Sequence, residues 1–134
     1  MSVESAQSAT NFAPAKRLND EAIYRQSQRI LDHSTVSRLC ESMLNAVAIL
    51  NRHRQIIYCN RNFAAFAGYE RPEAVYAKRP GEILDCVHST ETEGGCGTAE
   101  ACAVCGAVNA ILEAQQGEIT VKETTIRRTG GKED

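Results

Sequence analysis

Four cysteines, Cys86, Cys96, Cys102 and Cys105, fall within a 20-residue stretch in the spacing C-x9-C-x5-C-x2-C. Thiolates are soft ligands, and four of them can surround one iron–sulfur cluster or one tetrahedral zinc. Cys102 and Cys105 form a Cys-x-x-Cys pair at the expected start of a helix, where the positive end of the helix dipole favours thiolate. Gly94, Gly95, Gly97 and Gly106 supply the tight, amide-exposing backbone that wraps an anionic centre. A four-cysteine zinc site ordinarily brings two Cys-x-x-Cys knuckles, and here there is one. The C-x5-C-x2-C run is closer to ferredoxin-type clustering, although it matches neither of the common ferredoxin spacings. The spacing therefore favours an iron–sulfur cluster on Cys86, Cys96, Cys102 and Cys105. Zinc and thiol–disulfide switching stay open as alternatives.

Other residues of chemical type have plainer readings. Cys40, on a helix, and Cys59, at a strand end, read as small buried apolar residues. His88 is two residues from Cys86 and ranks below the four thiols as a ligand. His53 reads as a solvated turn residue and His33 as a surface helix residue. Glu91 and Glu93 sit in a polar loop and read as solvated charges rather than an acid/base pair. Asn60 reads first as a helix cap.

The elements that must position these residues follow from periodicity. Residues 1–19 read as a disordered leader, rich in Ser, Ala and Asn. Residues 20–45 read as a helical linker, capped by Asp20, with a partial stripe of Ile23, Ile30, Leu31, Leu39, Met43 and Leu44 and a restart near Ser34. The polar run Asn51 to Gln55 separates two β-prone stretches, 46–50 and 56–59, as in a hairpin. Asn60 can cap a helix from Arg61 to Ala67 that Gly68 closes, with Phe63, Phe66 and Ala67 as its apolar face. Short helical turns are expected at 73–77 and 81–84. A helix is expected from about Glu100 to Gln116, with Val104, Val108, Ile111 and Leu112 on one face and Gly117 ending it. Glu118 to Arg128 alternates Ile119 and Val121 with polar residues and reads as a strand, followed by a turn at 129–132.

The chain has 134 residues, with 15 basic against 17 acidic and a net charge of −2, which argues against nucleic acid or an anionic membrane as partner. No apolar run approaches a bilayer span, and the N-terminal stretch has no secretory h-region. A cytoplasmic location follows, and in that reducing compartment six cysteines suggest metal binding or redox chemistry more than disulfides.

The order Ala46-Val-Ala-Ile-Leu-Asn, Gln55-Ile-Ile-Tyr-Cys-Asn-Arg-Asn-Phe, then Gly68-Tyr69 resembles the opening of a PAS domain: two strands, an Asn-capped helix and its Gly-Tyr end. The later stretches Pro80-Gly81-Glu82 to Cys86, Gly95-Cys96-Gly97-Thr98 and Cys102 to Val108 resemble a cysteine-bearing bacterial subset of that family. The resemblance spans 46–128. It implies an α+β fold, an antiparallel sheet with flanking helices, in a sensor domain over 46–134. Since the family's sheet has five strands and three candidates are found here, the domain is expected to be incomplete at its C-terminus.

Functionally, the resemblance implies a non-enzymatic sensory module of bacterial signal transduction. Its cluster would respond to oxygen or redox state, and its partner would be an output domain or histidine kinase. A homodimer through the N-terminal helix is the expected self-association. The alternatives are a zinc-stapled structural module, and a thiol-redox or electron-transfer protein using Cys102 and Cys105.

Overall fold

Asn19, not Asp20, caps the first helix. Its side chain accepts a hydrogen bond from the Ala22 amide at 2.9 Å, so Asp20 becomes the first helical residue, where its charge meets the helix dipole. A computed structural model describes residues 10–129, and these divide into two units: residues 17–78, and residues 79–129 together with 10–16. The leader reading for residues 1–9 and most of the 129–132 turn lie outside the described residues.

In the unit of residues 17–78, α1 (Asp20–Asp32) buries Ile23 and Ser27, one turn apart on one face. The Ser27 hydroxyl donates to the Ile23 carbonyl at 3.0 Å, which satisfies it without a partner outside the helix. The backbone breaks at His33, and α2 (Ser34–Ser42) follows, burying Cys40. Then β1 (Ala48–Leu50) pairs antiparallel with β2 (Ile56–Cys59), in the register Ala48↔Cys59 and Ile49↔Tyr58, with an irregularity between Ile49 and Leu50. The hairpin turn is built by Asn51, whose Oδ1 accepts from the His53 and Gln55 amides at 2.8 and 3.1 Å.

All four residues of β2 are buried, and α1 packs on this strand. Gln55 is also buried. Its amide donates to the Leu18 and Ala77 carbonyls and accepts from the Leu18 amide at 2.8 Å, tying the chain entering α1 to the strand. Asn60 caps α3 (Arg61–Ala67), and Gly68 closes it with φ +87°. That helix turns Ala64 inward and leaves Phe66 57% exposed, so its expected aromatic face is not the buried one. A 3-10 turn at Pro72–Val75 buries Val75 completely.

The other unit starts from a buried cation. Arg79 is fully buried and donates to the carbonyls of Gly94 (2.9 Å), Pro14 (3.3 Å), Ala15 (3.3 Å) and Lys16 (2.9 Å), with a longer contact to Cys96. Residues 10–16 thus pack within this unit: the Asn11 and Ala13 amides donate to the Thr98 and Gly97 carbonyls. Ala13 joins Ala99, Cys102 and Val108 in a small core, with Cys105 and Leu112 against it.

The short helix α4 (Pro80–Ile83) begins at Pro80. The helix expected from Glu100 to Gln116 is two pieces: a 3-10 turn at Glu100–Val104 and α5 (Gly106–Gln115), separated by extended Cys105. Its expected apolar face changes accordingly, because Val104 is exposed while Val108 is buried. The strand expected at 118–128 is not formed. That stretch makes a single antiparallel bridge, Cys86↔Arg128, and Ile119 and Val121 stand fully in solvent. Alternation gives a strand only where a neighbouring strand takes up its hydrogen bonds, and none does so among the described residues. The fold is α+β, with a two-stranded antiparallel sheet among the described residues.

Candidate cysteine site

Gly81, in α4, is the point about which two of the four cysteines gather. Its amide donates to Cys96 Sγ at 3.3 Å, and its carbonyl accepts from the Cys86 amide at 2.8 Å. A Cβ at position 81 would meet Cys96 Sγ at 2.8 Å and Cys86 Cβ at 3.4 Å, so only glycine lets both residues come this close. Cys96 itself sits between Gly95 and Gly97, both with φ near +85° (83° and 88°), in a backbone that other residues rarely adopt.

Glu82 holds the same loop from the other side. Its carboxylate accepts from the Arg79 amide at 2.9 Å and from the Cys96 amide at 3.1 Å, so one side chain caps α4 and anchors Cys96. The acceptor at the third helical position is half of a capping box, which the order Arg79-Pro80-Gly81-Glu82 carries in the sequence. Arg79 carried no such signal, since nothing near it in the sequence marks a charged side chain as buried.

Cys102 lies in the core beside Ala99 and Val108, and Cys105 is half-buried at the break before α5, with its sulfur 3.6 Å from the Thr124 hydroxyl. Burial pushes the Cys86 thiol above its ordinary range. The backbone at His88 and Ser89 pulls it down, and the nearby Cys102 and Cys105 sulfurs push it up again. All four sulfurs thus belong to one unit, and Cys86 is within electrostatic reach of the Cys-x-x-Cys pair. All six cysteines are free thiols.

As they stand, the sulfurs do not form a closed coordination shell: among the described residues no group of three or more His, Cys, Asp or Glu is gathered around one point. The donor chemistry suits a soft metal or a cluster, while the geometry holds Cys86 and Cys96 as one pair and Cys102 and Cys105 as another. His88 is engaged with Glu91, Nδ1 to Oε1 at 2.6 Å, on the surface of the 3-10 turn Val87–Thr90. Cys40 and Cys59 are both buried within the unit of residues 17–78.

The hairpin with its buried asparagine is the other organised centre. Asn60 uses every hydrogen-bonding position of its amide. Oδ1 accepts from Phe63 N at 2.9 Å and Val47 N at 3.1 Å, and Nδ2 donates to the Cys40 and Asn45 carbonyls, both at 2.9 Å. One side chain therefore joins the end of α2, the entry to β1 and the first turn of α3. Residues 36–101 match the family model described as PAS domain. This stretch is a PAS domain segment. It runs from α2 through the hairpin, α3 and α4 to the start of the 3-10 turn at Glu100, so it includes Cys86 and Cys96 and stops just short of Cys102 and Cys105. No curated protein and no solved structure matches the chain. A PAS segment points to a sensory or signalling module. No helix among the described residues is long and apolar enough to cross a membrane.

Proposed function

We propose that this chain is a non-enzymatic sensory PAS module of the cysteine-bearing type. In this reading Cys86, Cys96, Cys102 and Cys105 take an iron–sulfur cluster that responds to oxygen or redox state. The observation that carries the reading is the grouping of all four thiols in one unit, with Cys86 and Cys96 on either side of Gly81 and Cys86 in reach of the other pair. Ligand sets of this kind rarely stand preformed without metal, and binding energy then orders the chain that carries them. The segment to be ordered is the irregular loop between α4 and α5.

When bound, the cluster would supply an electron couple and sensitivity to oxygen. The chain's own residues do the rest. The Gly81 N–H donates to the Cys96 sulfur, Glu82 fixes the loop by its backbone, and Arg79 places a buried positive charge under it. The output would pass to a further domain or to a histidine kinase, with α1 and α2 as the contact between two copies, in a cytoplasmic setting that keeps the thiols reduced.

Anaerobic purification with iron, sulfide and zinc analysis and a visible absorption spectrum tests the proposal. A brown protein with iron and sulfide lost on exposure to air is expected. A colourless protein without iron after anaerobic reconstitution overturns it, and stoichiometric zinc that survives air would identify a structural staple instead.

A further inference from the structure

A hollow of about 820 Å³ opens in the unit of residues 17–78, between α1 and α2 on one side and β2 with the Pro72–Tyr76 turn on the other. It is distinct from the cysteine loop, which belongs to the other unit. Its size is that of a small-molecule site. Ile23, Leu31, Tyr24, Tyr58, Cys59 and Tyr76 give it an apolar and aromatic lining. Its charged lining is unbalanced: Asp20, Glu41, Glu70 and Glu73 face Arg38 and Arg61.

Ion pairing within the lining keeps this excess and leaves Asp20, Glu70 and Glu73 against Arg38. Arg61 is already spent on Glu41, Nε to Oε2 at 3.7 Å, and Glu41 also accepts from the Tyr58 hydroxyl at 3.1 Å. Among the described residues Asp20, Glu70 and Glu73 form no ion pair. The field of these carboxylates reaches the floor. Burial first, then Glu41 and Glu73, hold the Cys59 thiol protonated, and burial with Cys59 and Glu73 does the same for the Tyr76 phenol. Aromatic faces and unpaired carboxylates around an apolar hollow are complementary to one ligand chemistry, a positive charge on an apolar body.

We propose that this hollow binds a small organic cation, an aryl- or alkylamine, with its apolar body among Tyr24, Tyr58 and Ile23 and its ammonium toward Glu70 and Glu73. Neither an anion nor a neutral molecule of the same shape would be held as well, since the carboxylates would repel the one and gain nothing from the other.

The test uses the whole chain, with amide NMR spectra recorded during titration with phenethylamine, phenethyl alcohol and hydrocinnamate, three probes with closely similar bodies and different charge. Saturable shifts are expected at Tyr58, Cys59, Glu73 and Tyr76 with the amine, with the alcohol about fivefold weaker, as the loss of one exposed ion pair implies. Glu73→Gln and Glu70→Gln should each weaken the amine by a similar factor and leave the alcohol unchanged, while Glu93→Gln, outside the hollow, should leave both unchanged. Equal affinity for amine and alcohol, shifts confined to other residues, no saturable shift with the amine, or a lysine-rich peptide binding where the amine does not would each overturn the proposal.

Discussion

Gly81 and Cys96 touch in a way that no other residue pair could reproduce: the amide of one donates to the sulfur of the other at 3.3 Å, and a methyl group on Gly81 would lie 2.8 Å from that same sulfur. The glycine therefore fixes where the Cys96 sulfur sits and also stabilises negative charge on it, as an N–H donor does for any thiolate.

Gly81→Ala should move the Cys96 sulfur out of its place. The added methyl group costs about 1–3 kcal/mol through overpacking, offset in part by the better helix propensity of alanine. Denaturant unfolding should show a modest loss of stability. The iron bound after anaerobic reconstitution should fall much more than that loss, since the position of one ligand is at stake. Full iron content in Gly81→Ala would show that Cys96 is not held for metal.

Replacing the thiols one at a time separates ligands from filler. Cys102→Ser and Cys105→Ser should each abolish the visible absorption of the reconstituted protein, as should Cys86→Ser and Cys96→Ser. Cys40→Ser, in the other unit, should keep it, with a stability cost of about 1–2 kcal/mol for a hydroxyl in a site built for sulfur. Absorption and iron content measured across the five variants check this, and loss of colour in all five equally would point to unfolding instead.

Asn60→Ala removes a helix cap and three further hydrogen bonds from a residue that is 1% exposed. A loss of about 3 kcal/mol is expected, since a cap contributes about 1 kcal/mol and stranded buried groups cost about 1 kcal/mol or more each. Asn60→Asp should also destabilise, because a carboxylate keeps the acceptor for Phe63 and Val47 but faces the Cys40 and Asn45 carbonyls with no donor. Thermal melting of the two variants checks both, and an unaffected melting temperature for Asn60→Asp would refute the two-sided role of the amide.

How much of this was legible in the sequence depends on how local the cause is. The cap at Asn60 and the stop at Gly68 are set by neighbouring residues, and both stood in the sequence with correct boundaries. The hairpin register follows from Asn51 bonding its own turn, again a local cause. Alternation over 118–128 predicts a strand that does not form, because alternation reports only the intrinsic preference, while the ladder needs a partner that the described residues do not give to Ile119 and Val121. Arg79 was invisible for the opposite reason. Its partners are the carbonyls of residues 14–16 and 94–96, far apart in sequence, and a charged side chain beside a proline gives no sign of being buried. The four cysteines stand out by their spacing and Glu82 by its place as a cap, but the contacts that make Gly81 and Glu82 set the place of Cys96 join residues 14 or 15 positions apart and leave no local mark.

Burial, with Glu41 and Glu73 behind it, pushes the Cys59 thiol from its ordinary value of 9.0 up to about 12, and burial with Cys59 and Glu73 pushes the Tyr76 phenol from 10.0 to about 12. Both groups hold their protons more tightly when folded than when unfolded. The folded chain therefore binds more protons than the unfolded one between pH 9 and 12, and unfolding in that window releases protons. The stability these groups contribute is fully present below pH 9 and is lost as pH rises through about 12. Urea midpoints should fall steadily across that window. Iodoacetamide should spare Cys59 in the native chain at mildly alkaline pH and modify it once the chain unfolds, since the thiolate is the reactive form. Removing the Glu73 charge lowers the folded value of both groups and leaves the unfolded values alone, so Glu73→Gln should lose less stability across the window than the native chain, and the loss should level off at a lower pH. A midpoint independent of pH across the window, or Cys59 alkylated as fast as a free thiol in the folded chain, would show that the floor of the hollow is neither closed to solvent nor negative.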